Sequence, residues 1–313
     1  MYKIYNNSLE YSGNNSTLNR LNKILSSING KNSFTNKIED KLIGIHAYKF
    51  GKLVYDKEID YILIIGGTDV NEDVNDNNKT KIIIKSIENA KYIICFNNFL
   101  YNKVKFLCPK IDNKIKIIPQ SIQELPVNKE FNLMQIIKDK TGKEYNKIYA
   151  MVGNIRSVKE PFYLENIFNS KLKEKNYLLI LLGNITEDGL IINETDNFIK
   201  LDPIDSIYLK SFYSQIDGLI NCSKSEGMSG SILEAMFYGC PVYARNIEGN
   251  IALIKDQITG YIFSEPEEII DLLEKSVDNI IINNARQYVS ESHSFETEKK
   301  LYLSEILKKS RLK

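Results

Sequence analysis

Short apolar runs, each bounded by polar segments, recur along the whole chain. In the first part they fall at Leu42–Ile45, Tyr61–Ile65, Tyr92–Phe96 and Lys116–Ile118, after a less apolar run around Tyr2–Tyr5. In the second part they fall at Ile148–Val152, Leu178–Leu182, Phe198–Lys200, Gly218–Ile220, Val242–Ala244 and Gly260–Phe263. All have strand length and are rich in Ile, Leu, Val and Tyr. Helical spacing of apolar residues predicts helices at Ser16–Ile28, Asn78–Asn89, Phe99–Phe106, Pro161–Lys173, Ile204–Gln215, Ser231–Phe237 and Pro266–Val277. Apolar strands alternating with helices indicate parallel sheets covered on both faces. The class is α/β, and two Rossmann-like halves fit it. Gln123–Tyr145, with Pro126, Gly142 and many charges, separates the two strand series. The expected domains are residues 1–125 and 146–293, followed by a last helix within 294–313.

Composition narrows the function classes. The 313 residues suit about two domains at about 100–200 residues each. With 43% hydrophobic residues the core needs neither disulfide nor metal to hold it. Lys plus Arg is 41 and Asp plus Glu is 40, which argues against a nucleic-acid binder held by bulk positive charge. Cys95, Cys108, Cys222 and Cys240 are widely spaced and read as buried reduced thiols. The leading MYKIYNNSLEYSG lacks the apolar stretch of a signal peptide, and no apolar run reaches the ~18–20 residues of a membrane span. The expectation is a cytoplasmic protein with no transmembrane segment. The sequons at Asn184 and Asn193 read as chance matches in an Asn-rich chain.

The most informative stretch is Asn221 to Phe263, NCSKSEGMSGSILEAMFYGCPVYARNIEGNIALIKDQITGYIF. A strand, Gly218–Ile220, runs into a small polar loop, Ser223–Ser229, containing Gly227 and Met228. A helix, Ser231–Phe237, follows and stops at Gly239 before Pro241. Free backbone N–H groups and the positive end of the helix dipole then face the loop, which makes an anion site. Glu226 lies in the loop and Glu234 in the helix. A carboxylate accepts two hydroxyls, such as a ribose diol. Ser231-Ile-Leu-Glu234 also reads as a capping box, and Glu226 as a solvated loop charge.

Two glutamates with seven residues between them, then Gly-x-Pro, Gly-x-x-x-Leu-Ile and Thr-Gly-Tyr-Ile-Phe, resemble the donor half of family 4 glycosyltransferases, the group 1 enzymes of the GT-B fold. Gly153 to Pro161, GNIRSVKEP, resembles their phosphate-binding segment. Ile43 to Lys52 and Ile64 to Asp73 resemble two N-terminal cleft loops, most like those of the glycosyltransferase 1 domain-containing protein 1 group. A selenosugar synthase group carries similar loops. The resemblance implies two Rossmann-like domains with parallel sheets facing across a cleft, the first completed by a C-terminal helix at 296–313. It implies a retaining, metal-independent transfer from a nucleotide-sugar to an unidentified acceptor (small molecule, lipid or glycan), with no cofactor. It assigns Glu226 to the transferred sugar and Glu234 to the ribose hydroxyls.

The remaining candidates follow from charge and position. Arg156 and Lys159, just after Gly153, would offset the negative charge developing on the leaving diphosphate. The commoner family pattern has arginine directly after the glycine, where this chain has Asn154. His46 ends a strand, where open α/β sheets place ligands, and by resemblance touches the transferred sugar or the pyrophosphate. Asp69, with Lys49, is expected on the acceptor side, against the alternative of an Asx cap in a Gly-rich turn. Gly13 is expected in a first loop that opens the helix Ser16–Ile28, letting backbone approach the donor phosphate. Gly153, Gly227, Met228 and Ser229 complete the expected donor contacts, and His293 reads as structural. Three other readings stand beside sugar transfer to an ordinary acceptor. They are formation of a sugar–selenium or sugar–sulfur bond, an inactive nucleotide-sugar-binding partner, and, ranked low without a GxGxxG, a dehydrogenase.

Overall fold

The computed structural model of the protein describes residues 3–5, 13–29, 41–122 and 124–307. The chain divides into two compact units. Residues 1–121, 226–228 and 292–313 form the first, and residues 122–225 and 229–291 form the second.

The first unit alternates strand and helix: β1 (Lys3–Tyr5), α1 (Gly13–Asn29), β2 (Lys41–Ile45), α2 (Ala47–Val54), β3 (Asp60–Ile64), α3 (Gly67–Asn71), α4 (Asn77–Asn89), β4 (Tyr92–Cys95), α5 (Asn98–Leu107) and β5 (Ile115–Ile117). The strands pair in parallel in sequence order, β1-β2-β3-β4-β5, with no reversal. Ile62, Leu63 and Ile64 are successive and all buried, so β3 is covered on both faces, as parallel strands require. Leu21, Ile24 and Leu25, at i, i+3 and i+4, give α1 its buried stripe.

In the second unit come α6 (Leu133–Thr141), β6 (Lys147–Val152), α7 (Glu165–Asn169), β7 (Tyr177–Leu182), β8 (Phe198–Leu201), α8 (Leu209–Tyr213), β9 (Gly218–Asn221), α9 (Gly230–Tyr238), β10 (Val242–Arg245), α10 (Glu248–Ile251), β11 (Tyr261–Phe263), α11 (Glu268–Glu274) and α12 (Asn279–Ser292). Its parallel sheet has the order β11-β10-β9-β6-β7-β8. The order reverses between β6 and β9, which opens a crevice at their carboxyl ends. All of YLLILL in β7 is buried. Tyr149 on β6, Tyr243 on β10 and Tyr261 on β11 form an aromatic row, with ring centroids 6.0 and 5.1 Å apart; Gly218 of the intervening β9 leaves room for the Tyr243 ring.

The described residues end with α13 (Phe295–Leu301) and a π-helical turn, Tyr302–Leu307, in the first unit. Tyr302 and Ile306 are buried in that unit's core. Glu298, 1% exposed, takes Arg20 Nε at 2.8 Å and the N and Oγ of Ser121 at 2.9 and 2.6 Å. Nearby His293 Nδ1 lies 2.7 Å from the Gln120 carbonyl, and burial lowers the His293 pKa.

Several elements differ from the sequence-based expectation. The segments expected as N-terminal cleft loops are mostly helical: only His46 separates β2 from α2, and α3 starts at Gly67. The helix expected at Pro161–Lys173 shrinks to α7, because Pro161 and a left-handed Glu160 (φ 49°) turn the chain at its start. Gly13 is the first residue of α1, so the helix takes in residues expected in a loop. Residues 124–145 are not a bare linker. Asn128 N donates to Ser211 Oγ at 2.9 Å, Leu133 N donates to Gln215 Oε1 at 2.8 Å, and α6 follows. The four cysteines are free and buried. Among the described residues, no helix is long and apolar enough to cross a membrane.

Candidate active site

In the second unit the candidate residues gather at the strand-order reversal. β6 ends at Val152, and Gly153 follows with φ 130°. β7 ends at Leu182, and a Cβ on the next residue, Gly183, would lie 2.1 Å from the Gly153 carbonyl oxygen. Only glycine allows these two loops to meet, and that contact sets the path of the segment after β6. Arg156 then caps a 3-10 turn, Ser157–Lys159. Glu187 braces that turn by accepting Ser157 N at 2.6 Å, and the Ser157 hydroxyl and N–H hold the Glu187 carboxyl below its ordinary pKa. Lys224 N donates to Val158 O at 2.9 Å, and the Lys224 side chain pairs with Glu160. Among the described residues Arg156 has no ion pair, whereas Lys224 is engaged.

Opposite this segment, on β9, stands the start of α9. Its N-cap is Ser229, whose side chain makes no capping bond. Ser229 Oγ lies 3.1 Å from Ser231 Oγ and 3.4 Å from Asn221 Nδ2 instead. The first-turn N–H groups therefore keep their capacity for an anion. A pocket lined by Gly153, Asn154, Lys159, Asn221, Ser223 and Ser231 opens at this point.

Because the cap is Ser229, Ser231 and Glu234 do not form the expected capping box. Glu234 lies in the second turn of α9, and its Oε2 accepts the Tyr213 hydroxyl at 3.1 Å. Burial raises the Glu234 carboxyl to about 7, against a smaller lowering by that hydroxyl. Part of the side chain still reaches solvent, so an incoming group has access to it.

In the first unit His46, Asp69 and Asp73 converge. His46 follows β2 with φ 78° and ψ 110°, a region that costs a non-glycine residue roughly 1–3 kcal/mol. Its Nδ1 lies 2.6 Å from Asp69 Oδ1, and its Nε2 lies 3.7 Å from Asp73 Oδ2. Asp69 is fully buried. Its Oδ2 accepts Ala47 N at 2.8 Å and Gly66 N at 2.9 Å, and its Oδ1 accepts Tyr48 N at 3.1 Å. The carboxylate thus caps both α2 and α3. An acceptor contact, the expectation for Asp69, has no surface to use. Lys79 Nζ sits 2.7 Å from Asp73 Oδ1, and that carboxylate raises the Lys79 pKa. Lys49 is exposed on α2.

His46, Asp69 and Asp73 each direct an atom to one small volume where a cation would fit by distance. Yet the Asp69 oxygens already hold two donors each, and Nδ1 is turned to Asp69. His46 Nε2 and one Asp73 oxygen remain, fewer than the usual three or four protein ligands.

The loop residues 226–228 belong to this first unit. Glu226 is 8% exposed; its carbonyl accepts Asn71 Nδ2 at 3.3 Å, and the Gly227 carbonyl accepts Asn97 Nδ2 at 2.8 Å. A Cβ on Gly67 would lie 2.5 Å from Gly227 N, so the start of α3 and this loop touch through glycine backbone. Met228, expected beside the donor, packs its side chain against the first unit's core. Asn97 went unnoticed in the sequence. It caps α5 through Oδ1 to Leu100 N at 2.9 Å while its amide holds the loop. The cap was readable from its place after a strand; the Gly227 partner, 130 residues away, was not.

A parallel sheet with a strand-order reversal, and an uncapped helix start beside Lys159 at the carboxyl ends of its strands, define an α/β protein of the class that places its ligands at such a switch point. The family follows from comparison. The model of the glycosyl transferases group 1 matches residues 134–293. Glycosyltransferase 1 domain-containing protein 1 of Xenopus tropicalis is 35% identical over 283 residues, 84% of this chain and 80% of that protein. The chain belongs to the group 1 glycosyltransferases. Its fold is GT-B. The structure of Anabaena HepE, solved with UDP-glucose, matches with a TM-score of 0.77 at 12% identity, covering 98% of this chain and 99% of that one. Sucrose-phosphate synthase of Thermosynechococcus elongatus matches with a TM-score of 0.64 at 15% identity, covering 95% and 78%.

Proposed function

We propose that this glycosyltransferase moves a sugar from a nucleotide-sugar to a hydroxyl-bearing acceptor with retention at the anomeric carbon and without a metal ion. The observation that carries the reading is the uncapped start of α9 beside Gly153 and Lys159, with Arg156 on the same segment as Lys159. As the bond from C1 to the phosphate oxygen breaks, charge grows on the diphosphate. N–H groups and cations already in place offset it without reorganisation. The UDP-glucose in the HepE structure supports a donor of that class. Glu234 accepts the ribose diol, and the Tyr213 hydroxyl orients the carboxylate. Glu226 contacts the transferred sugar. The acceptor attacks from the face the diphosphate leaves, and the departing phosphate oxygen takes the acceptor proton.

Release of nucleoside diphosphate from a panel of nucleotide-sugars tests this reading. Turnover by the wild type is expected to fall by about 10²–10³ in Arg156→Ala. Full turnover in the Glu226→Ala, Arg156→Ala double variant would remove the site assignment.

A further inference from the structure

We propose that Asp69 is the positioning residue of His46: it fixes the ring as the Nδ1–H tautomer, so that Nε2 presents a lone pair beside Asp73 to hydroxyl groups of the saccharide. The inference rests on the chain being a sugar transferase for the ligand only. The tautomer stands on geometry alone.

His46 Nδ1 has two neighbours, Asp69 Oδ1 at 2.6 Å and Lys49 N at 3.4 Å. One nitrogen cannot donate to the carboxylate and accept from the backbone N–H at once. The shorter, charge-assisted contact decides, so Nδ1 carries the proton. Asp69 cannot rotate away, because Ala47, Tyr48 and Gly66 each give it a backbone N–H. The His46 backbone is pinned too: His46 N donates to Ile64 O at 3.0 Å, and His46 O accepts Phe50 N at 3.0 Å. The left-handed backbone of His46 is therefore held by bonds on both sides.

On the far side of the ring, Nε2 and Asp73 Oδ2 are 3.7 Å apart, too far for a direct hydrogen bond. The other Asp73 oxygen is engaged by Lys79. In this tautomer the facing atoms are two acceptors, a set that suits two neighbouring hydroxyl donors. A saccharide supplies such pairs. Asp69 touches no substrate in this arrangement and acts through His46.

Asp69→Asn isolates the effect, because it keeps shape and removes charge. Its single oxygen stays with the Ala47 and Gly66 N–H groups, and its NH₂ then faces His46 Nδ1, which must accept. The tautomer flips to Nε2–H. The chain has two histidines, so nitrogen-15 correlation spectra of histidine-labelled protein, at a pH where both rings are neutral, hold two ring systems. His293, with Nδ1 on a carbonyl, is the internal reference. Expected are Nδ1–H for His46 in the wild type and Nε2–H in Asp69→Asn, with His293 unchanged. In turnover, kcat is expected to fall about 10²-fold, with little change in donor KM. His46→Ala and the Asp69→Asn, His46→Ala pair are expected to be equally slow.

An Nε2–H tautomer in the wild type overturns the proposal without any variant. So does a folded Asp69→Asn protein with unchanged tautomer or unchanged kcat. If no donor gives turnover, the sugar-transfer reading fails while the spectra still decide the tautomer.

Discussion

The two units present their polar groups in opposite states. In the first, charge is compensated internally: Asp69 is saturated by three backbone N–H groups and His46, and Asp73 is paired with Lys79. In the second, at the strand-order reversal, the start of α9 lacks a side-chain cap, and Arg156 makes no ion pair among the described residues while its charge helps lower the Glu187 pKa. The first arrangement fixes the orientation of His46; the second leaves the first turn of α9 without a side-chain cap. Changes in the first should therefore cost rate at constant donor affinity, and changes in the second should cost charge stabilisation of the leaving group.

The largest effect tests the second state. Replacing Arg156 and Lys159 together by alanine is expected to lower kcat by about 10³ or more, since each removes a preorganised positive group. Steady-state release of nucleoside diphosphate measures it. A loss shared with Lys224→Ala would erase the contrast, because Lys224 is paired with Glu160 in the same region.

Next is the backbone approach that shapes the segment after β6. Gly183→Ala puts a Cβ 2.1 Å from the Gly153 oxygen at a backbone φ of 153°, so the segment carrying Arg156 must shift. Displacement of this order is expected to cost about 10²-fold in rate. Rate and thermal melting measured together separate misplacement from unfolding.

Glu234 sharpens the comparison through pH. Its carboxyl titrates at about 7, raised by burial, so the fraction able to accept a diol as carboxylate grows as pH rises through that value. Donor affinity is expected to increase between about pH 6 and 8, by up to about tenfold. In Glu234→Gln it should be flat and weak, as read by calorimetry with the nucleoside diphosphate. The sign for stability is opposite. The folded protein holds this proton above the ordinary carboxyl range, so the contribution is full at acid pH and declines as pH rises toward 7.

The smallest effect on activity belongs to Glu298, buried among Arg20 and Ser121 and bonded to none of the candidate site residues in the contacts described for it. Glu298→Ala is expected to cost about 3 kcal/mol of stability, because Arg20 loses its partner in a buried place. Donor affinity should not move. Urea unfolding and calorimetry check the two halves of that statement.

The sheets were legible because parallel strands are buried on both faces, and runs such as Tyr177–Leu182 are written as apolar blocks. The short helices were not. α2 begins one residue after β2, and the carboxylate that caps it sits 22 positions downstream. α12 runs through IIINNARQYV, whose Asn residues favour turns and caps, and its buried Ile281, Ala285 and Val289 become a stripe only once the core is known. Within the candidate site, the glycine loop and the start of the helix after it were legible from residue types and spacing, whereas the roles given to Glu226 and Glu234 came from the family resemblance. Asp69 read either as an acceptor contact or as an Asx cap in a Gly-rich turn, and its bond to Gly66 N fits the second. Its bonds to Ala47 N and Tyr48 N were hidden, because a sequence does not show where distant backbone groups point. The same reason hid Asn97.

The most direct test is the anomeric configuration of the glycoside formed in excess EDTA, read by proton NMR. An α-linked nucleotide-sugar is expected to yield an α-linked product at undiminished rate. A β-linked product, or turnover that stops on chelation and returns with added divalent metal, would contradict the proposed reaction.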